Sequence, residues 1–166
     1  MARTPPDAVD AIAAQWADIR PDLDVSPMQV IGRVSRLSRL IDRVLATNFA
    51  EHGLENWMYD VLATLRRTGA PYELTAGDLV RQTMVTTGAM TNRIDRLAER
   101  GLVERISGTD RRTVIVRLTD VGRALVDDVS ATHMETERQL LAALTSTQQV
   151  QLADLLRELL VSLGDH

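Results

Sequence analysis

The sequence of 166 residues contains no cysteine, no lysine and few aromatic residues. Without cysteine the protein can form no disulfide, no thiolate zinc site and no thiol redox sensor. Its three histidines, His52, His133 and His166, lack the spacing of a metal site, so we expect neither a metal nor another cofactor. No apolar run approaches the length of a membrane span, and residues 1–10 do not resemble a signal peptide. We therefore expect a soluble, cytoplasmic protein with no membrane partner.

The sequence also lacks the motifs of common enzyme classes. There is no cysteine nucleophile, no glycine-rich phosphate loop, and no histidine near a candidate serine nucleophile in the helical pattern. We expect no catalytic residues and no enzyme. Hydrophobic residues make up 45% of the chain and aromatic residues 3%, so an aliphatic core must support one globular domain, alone or extended by dimerisation helices.

Positive charge is concentrated in one part of the chain, although the net charge is −4. Residues 81–117 contain eight arginines and four acidic residues, which gives this segment a charge of +4 and leaves −8 for the remainder. A basic face on an acidic body is typical of proteins that bind nucleic acid. A solvated charged surface would have the same composition, so charge alone does not decide between the two.

Helical periodicity dominates both ends of the chain. At the N-terminal end the pattern predicts helices from Asp7 to Arg20, from Ser26-Pro27 to the region of Gly53, and from Asn56 to Thr68. At the C-terminal end, Thr119 is expected to cap a long helix. A capping box from Thr145 to Gln148 then begins a last helix with a broad apolar face.

The middle of the chain changes from helical to strand-like patterns. It predicts a short helix that begins with a capping box at Thr75 and ends near Gln82, then a turn, and then a helix from about Thr87 to Arg100 that Gly101 ends. Strands over residues 102–107 and 113–118 follow, with a turn between them. The predicted fold is therefore mainly α with a small β-hairpin, in the order of a winged helix-turn-helix.

The helix that begins at Thr87 has a polar face of the kind that reads DNA. Met90, Ile94 and Leu97 share one narrow apolar face, which must contact the core. Asparagine, arginine and threonine side chains on the other face can bond to base edges in a major groove, and hydroxyls at the helix start suit phosphates. An ordinary polar helix surface is the alternative. The candidate DNA contacts here are Thr86, Thr87, Gly88, Thr91, Asn92 and Arg96.

The predicted hairpin turn supplies a second candidate DNA contact. Asp110, Arg111 and Arg112 lie where the two strands turn. Two adjacent exposed arginines add nothing to folding, whereas a narrow minor groove attracts inserted arginine through its negative potential. Asp110 is placed to orient a neighbouring guanidinium through a charge-assisted hydrogen bond. A solvated turn is the alternative.

Taken together, these segments resemble the MarR family of bacterial transcription regulators over nearly the whole chain from about Ser26 onward. The resemblance implies a triangular homodimer whose first and last helices interlock, with one winged helix on each half of a palindromic operator. It also implies that Arg112 is the wing arginine that enters the minor groove and that Asp110 orients it. The segments that carry the resemblance are residues 59–62, 87–97, 100–103, 110–112 and 118–122.

The N-terminal part carries a narrower resemblance. An added helix with Trp16, together with residues 20–24 and 26–28, is similar to the urate-responsive subgroup of the MarR family. By that resemblance, Trp16, Asp60 and Arg93 form a ligand site. A guanidinium and an aromatic face suit a small anionic aromatic ligand such as urate. The alternative is that Trp16 belongs to the core and that Arg93 and Asp60 form a structural salt bridge.

Two functional hypotheses follow. The first is a repressor that binds a pseudo-palindromic operator as a homodimer and is released by its ligand. The second is a winged-helix module that binds another protein, with weak or absent DNA binding; the arginines of the predicted turn favour the first. The corresponding division of the chain is an N-terminal extension (1–25), a dimerisation helix (26–53), a winged helix-turn-helix domain (54–118) and C-terminal dimerisation helices (119–166).

Overall fold

A computed structural model describes residues 5–83, 85–107 and 113–165 of the chain. The mainly helical fold with a β-hairpin after a helix-turn-helix is confirmed. Within the described ranges the elements are α1 (Ala8–Ile19), α2 (Met28–Glu51), α3 (Asn56–Arg66), β1 (Glu73–Thr75), α4 (Ala76–Thr83), α5 (Thr87–Glu99), β2 (Val103–Ser107), β3 (Val114–Leu118), α6 (Asp120–Leu140) and α7 (Ser146–Ser162).

The chain divides into two compact units, and the boundary falls inside α2, between Val44 and Leu45. In the first unit, Asp7 caps α1 in a capping box with Asp10. Arg33 of α2 pairs with both carboxylates, at 2.8 and 2.9 Å. The start of α1 is therefore held to α2 by charge-assisted hydrogen bonds in addition to its own cap.

The second unit contains an aliphatic core to which α3, α4, α5, α6 and the sheet all contribute. The middle of α3 is buried on the face that carries Val61, Leu62 and Leu65. The sixteen buried residues described in this core include one phenylalanine and no tryptophan, as expected from a sequence poor in aromatic residues. This core supports the helix-turn-helix from behind and leaves the opposite face of α5 open to solvent.

The sheet has three antiparallel strands in the order β1-β3-β2, so the predicted two-stranded hairpin was incomplete. The sequence patterns predict a helix cap at Thr75 and no strand over residues 73–75. A three-residue strand is too short to show alternation, and it forms because β3 offers it a free edge. In register, Arg117 lies between Glu73 and Glu104 and bonds to both carboxylates, at 2.6 and 3.5 Å.

The junction between the hairpin and α6 is tight. Gly101 has φ +68° and ends α5 in a Schellman motif, in which Leu102 donates to the Leu97 carbonyl. Thr119 caps α6 and also donates to the Gly101 carbonyl at 2.7 Å. A Cβ on Gly122 would lie 1.9 Å from the Leu102 carbonyl oxygen, so only glycine allows α6 to begin this close to the hairpin.

Helix α7 begins with the predicted Thr145–Gln148 capping box but has no buried residue. Its apolar side chains are exposed in the single chain, with Leu155 at 60%, and Leu163 just beyond its end is 83% exposed. The part of α2 in the first unit also exposes a row of large aliphatic residues. No helix in the described part of the chain is long and apolar enough to cross a membrane.

Candidate nucleic-acid interface

Helix α5 presents one buried and one exposed face, as its periodicity predicts. Met90, Ile94 and Leu97 are almost completely buried in the core of the second unit. Thr91 and Asn92 are exposed on the opposite side. Burial of three aliphatic side chains fixes the rotation of the helix about its axis, so the polar face is held outward by the core.

The start of α5 is open and rich in hydrogen-bonding groups. Thr86 is the N-cap, and its hydroxyl oxygen accepts from the Ala89 amide at 3.3 Å, which leaves the hydroxyl proton free to be donated. The Thr91 hydroxyl donates its one proton to the Thr87 carbonyl. In this rotamer its oxygen can therefore only accept hydrogen bonds from a DNA group. Gly88 is exposed, and nothing lies within 4 Å of the position that a Cβ would occupy.

Arg96 is bound to the start of α3, a contact that the sequence did not indicate. Its guanidinium pairs with Glu55 and lies 4.8 Å from the centre of the Trp57 ring. Trp57 is half-buried, and its indole nitrogen donates to the other oxygen of Glu55 at 2.8 Å. These two hydrogen bonds, first from Trp57 and then from Arg96, hold the pKa of Glu55 below its usual value.

A second unpredicted contact joins α5 to the hairpin. Arg105 of β2 pairs with Asp95 of α5 at 2.6 Å and also reaches the Thr91 carbonyl at 3.4 Å. The pair is about half exposed. It ties the middle of the exposed helix to the first strand of the hairpin, so the orientations of these two elements are linked.

The hairpin strands lead toward the predicted wing tip. Strands β2 and β3 stay paired as far as Ser107 and Val114. The candidate contacts Asp110, Arg111 and Arg112 lie outside the described residues.

Of the candidate ligand residues, two lie in the second unit. Asp60 of α3 is exposed, yet partial desolvation raises its pKa, against the opposing effect of the Arg93 and Arg67 charges. Arg93 is half-buried, and its guanidinium carbon lies 5.5 Å from the centre of the Trp57 ring. Among the described residues the two form no direct salt bridge, so their attraction acts across a gap.

Trp16, the third candidate ligand residue, lies on α1 in the first unit and is 44% exposed. In the single chain Trp16 is therefore not part of the buried core. Within the described ranges no group of three acidic or histidine side chains could hold a metal ion.

Comparison with known proteins agrees with this architecture. Residues 52–113 match the model of the MarR family. The HTH-type transcriptional regulator PecS of Dickeya dadantii is 44% identical over 150 residues, which cover 89% of this chain and 90% of PecS.

Two solved structures are similar in fold and sequence. A mutant MarR from E. coli, complexed with operator DNA, is 26% identical, with a TM-score of 0.72 and coverage of 87% of this chain and 97% of that one. Bordetella bronchiseptica BpsR, whose structure addresses regulation of its DNA binding by 6-hydroxynicotinic acid, is 26% identical, with a TM-score of 0.71 and coverage of 79% and 98%. The chain belongs to the MarR family of winged helix-turn-helix transcriptional regulators and, within that family, groups with PecS.

Proposed function

We propose that the protein is a homodimeric repressor that binds a pseudo-palindromic operator and is released by a small anionic aromatic ligand such as urate. Helix α5 would enter the major groove, and the hairpin tip would enter the minor groove through Arg112, oriented by Asp110. The regulatory class follows from the family. The dimer, the contact residues, the direction of regulation and the ligand are our proposals.

The observation that carries the DNA-binding proposal is the orientation of α5. Three buried aliphatic residues turn its polar face outward, and that face holds Asn92, whose amide can bond bidentately to adenine. The open start of the helix at Gly88 allows the backbone to approach a phosphate. The positive end of the helix dipole lies at the same place and favours a negatively charged phosphate. The mutant E. coli MarR, a relative of the same fold, has been solved in complex with operator DNA, which supports operator binding by this chain.

Dimerisation is supported by the apolar surface of the terminal helices. A helix such as α7, with no buried residue and with Leu155, Leu159 and Leu160 exposed, is unusual for a monomer of this size. We propose that a second copy of the chain covers this apolar surface. Two winged helices held at a fixed spacing would then fit a pseudo-palindromic operator. In this scheme residues 26–53 and 119–166 form the dimer, residues 54–118 bind DNA, and residues 1–25 are an extension.

The ligand proposal rests on Arg93 and Asp60 together with Trp16. Arg93 belongs to α5 but is half-buried, and a carboxylate attracts it without direct contact. An incoming anion can therefore bind the Arg93 guanidinium without first breaking a salt bridge to Asp60. BpsR, a relative regulated by 6-hydroxynicotinic acid, is a precedent for a small aromatic anion. Trp16 would supply the stacking surface.

A mobility-shift titration on the DNA upstream of the protein's own gene, with and without urate, tests this proposal. We expect a discrete complex at nanomolar to micromolar protein and its loss in urate. A complex that urate leaves unchanged would retain the DNA-binding regulator and remove the urate response. Absence of any specific complex would favour the protein-interaction module instead.

A further inference from the structure

One aromatic ring contacts both of the arginines to which the proposed function gives different tasks. Arg93, the proposed ligand contact, and Arg96, the proposed DNA contact, are one turn apart on α5. Their guanidinium carbons lie 5.5 and 4.8 Å from the centre of the Trp57 ring, both within the range of a cation–π attraction. Trp57 therefore lies where a change at one arginine alters the surroundings of the other.

The ring is itself fixed by a hydrogen bond, because its indole nitrogen donates to one oxygen of Glu55. The other oxygen of Glu55 pairs with Arg96. Arg96 is thus held from two sides, by the carboxylate and by the ring, and both supports depend on the orientation of the same indole. Arg93 has the ring but no direct salt bridge among the described residues, so it is the arginine that an anion can withdraw more easily.

We infer that Trp57 couples the ligand site to the DNA-reading face, as a positioning residue that transmits withdrawal of Arg93 to the orientation of Arg96. This inference rests on the proposed function. An anion that takes Arg93 from the ring removes one of the contacts that keep the indole in place. The indole can then turn, its bond to Glu55 weakens, and Arg96 loses the orientation in which it meets DNA.

The size of this coupling is limited by the ligand, and it can be measured as the ratio of operator affinities without and with ligand. A ligand acts only through the difference in its affinity for the two arrangements of the indole. Removing the ring should therefore lower operator affinity in the absence of ligand, toward the value of the ligand-bound protein, and a ligand should then change that affinity little further. Glu55 and Arg96 are half exposed, and an exposed pair of this kind holds weakly unless a neighbour orients it.

The test compares operator affinity with and without saturating urate in wild type, Trp57→Leu and Trp57→Phe, with urate affinity measured by calorimetry. Wild type should show a ratio in the range of about 5 to 150, which is typical of allosteric coupling. Trp57→Leu should reduce that ratio by about threefold or more while both separate affinities remain measurable. Trp57→Phe, which retains an aromatic face, should restore part of it.

Tyr72→Leu is the matched control, since the Tyr72 ring also contacts two guanidiniums, those of Arg66 and Arg123, at 5.0 and 5.8 Å, away from α5. It should leave the coupling ratio unchanged. A wild-type ratio in Trp57→Leu would overturn the role of Trp57 and leave the ligand-controlled regulator standing. A wild-type ratio of one would instead remove ligand control and the coupling together.

A second measurement does not depend on the ligand. Trp16→Phe leaves Trp57 as the only tryptophan of the chain, because the sequence contains two. Addition of operator DNA should change the emission of Trp57, since DNA bound at Arg96 alters the electrostatic surroundings of the ring that contacts this arginine. An emission spectrum that saturating DNA does not alter would contradict the assignment.

Discussion

Asp95 of α5 and Arg105 of β2 form an ion pair of 2.6 Å that ties helix α5, which we propose reads DNA, to the β2–β3 hairpin. Neither residue caps a helix or belongs to the core, so neither role explains the pair. In the proposed complex these two elements enter different grooves, so we expect the pair to fix their relative orientation.

Asp95→Asn should therefore weaken operator binding several-fold with little change in folding stability, because an exposed pair contributes only about 0–1 kcal/mol. Asp127→Asn is the matched control, since the Arg66–Asp127 pair has a similar length and similar exposure but joins α3 to α6. DNA titrations and thermal melts of both variants provide the comparison. Equal operator affinity in the two would show that the Asp95–Arg105 pair does not orient the wing.

Gly122→Ala should destabilise the fold strongly, because its Cβ would lie 1.9 Å from a backbone oxygen that cannot move independently of the hairpin. We expect a loss of about 1–3 kcal/mol or more in urea unfolding, as for other overpacked sites. Gly77→Ala is the control, since its Cβ would meet ordinary contacts at 3.7 Å or beyond. A Gly122→Ala protein as stable as this control would mean that α6 begins farther from the hairpin.

The direction of the pKa shift at Asp60 gives a prediction that also separates the two interpretations of the Arg93–Asp60 pair. A raised pKa means that ionised Asp60 is disfavoured in the folded protein. The stability linked to this group is therefore present below its unfolded pKa and is lost as pH rises through the folded value.

Asp60→Asn should raise the melting temperature at pH 7. The difference from wild type should shrink as pH falls through the raised pKa of the folded protein and be smallest below about 4, near the ordinary pKa of aspartate. Melting curves of both proteins over that pH range measure this difference. A structural salt bridge predicts the opposite sign at pH 7, a lower melting temperature in the variant.

The apolar surface of α7 leads to a prediction on assembly. Leu155→Glu places a charge at a side chain that is 60% exposed in the single chain, so the monomer should remain folded. A dimer interface over that position would have to bury the charge, which costs several kcal/mol. We expect light scattering to give a dimer mass for wild type and a monomer mass for the variant at micromolar protein. A wild-type monomer would remove the dimer from the proposal.

Much of the fold could be predicted because its signals are local. The buried face of α5 follows from three aliphatic residues at helical spacing, and the caps at Thr119 and Thr145 follow from short polar motifs. Strand β1 could not be predicted, because three residues carry no periodicity and the strand depends on the free edge of β3. That partner strand lies far away along the chain, so no local pattern marks the pairing.

The site was predicted less completely, for a similar reason. The polar face of α5 could be assigned from a helical wheel, but the partners of its charged residues could not. Arg96 bonds to Glu55, 41 positions earlier in the sequence, and the contact depends on how α3 crosses α5. Pairings between distant surface charges leave no pattern in a single sequence. The contacts of Trp57 with Arg93, Arg96 and Glu55 could therefore be found only in the structure.

The central claim is that the exposed face of α5 reads DNA in each half of a dimer, and Asn92 tests it most directly. Anisotropy titrations of a labelled operator fragment should be made with wild type and Asn92→Ala, on the native sequence and on fragments with single base changes in each half-site. We predict that Asn92→Ala loses about 1–3 kcal/mol on the native operator. The variant should also lose its preference for particular bases at one or two positions in each half-site. The two half-sites are expected to lie about 10 base pairs apart. Unchanged affinity and unchanged base discrimination in Asn92→Ala would contradict the account.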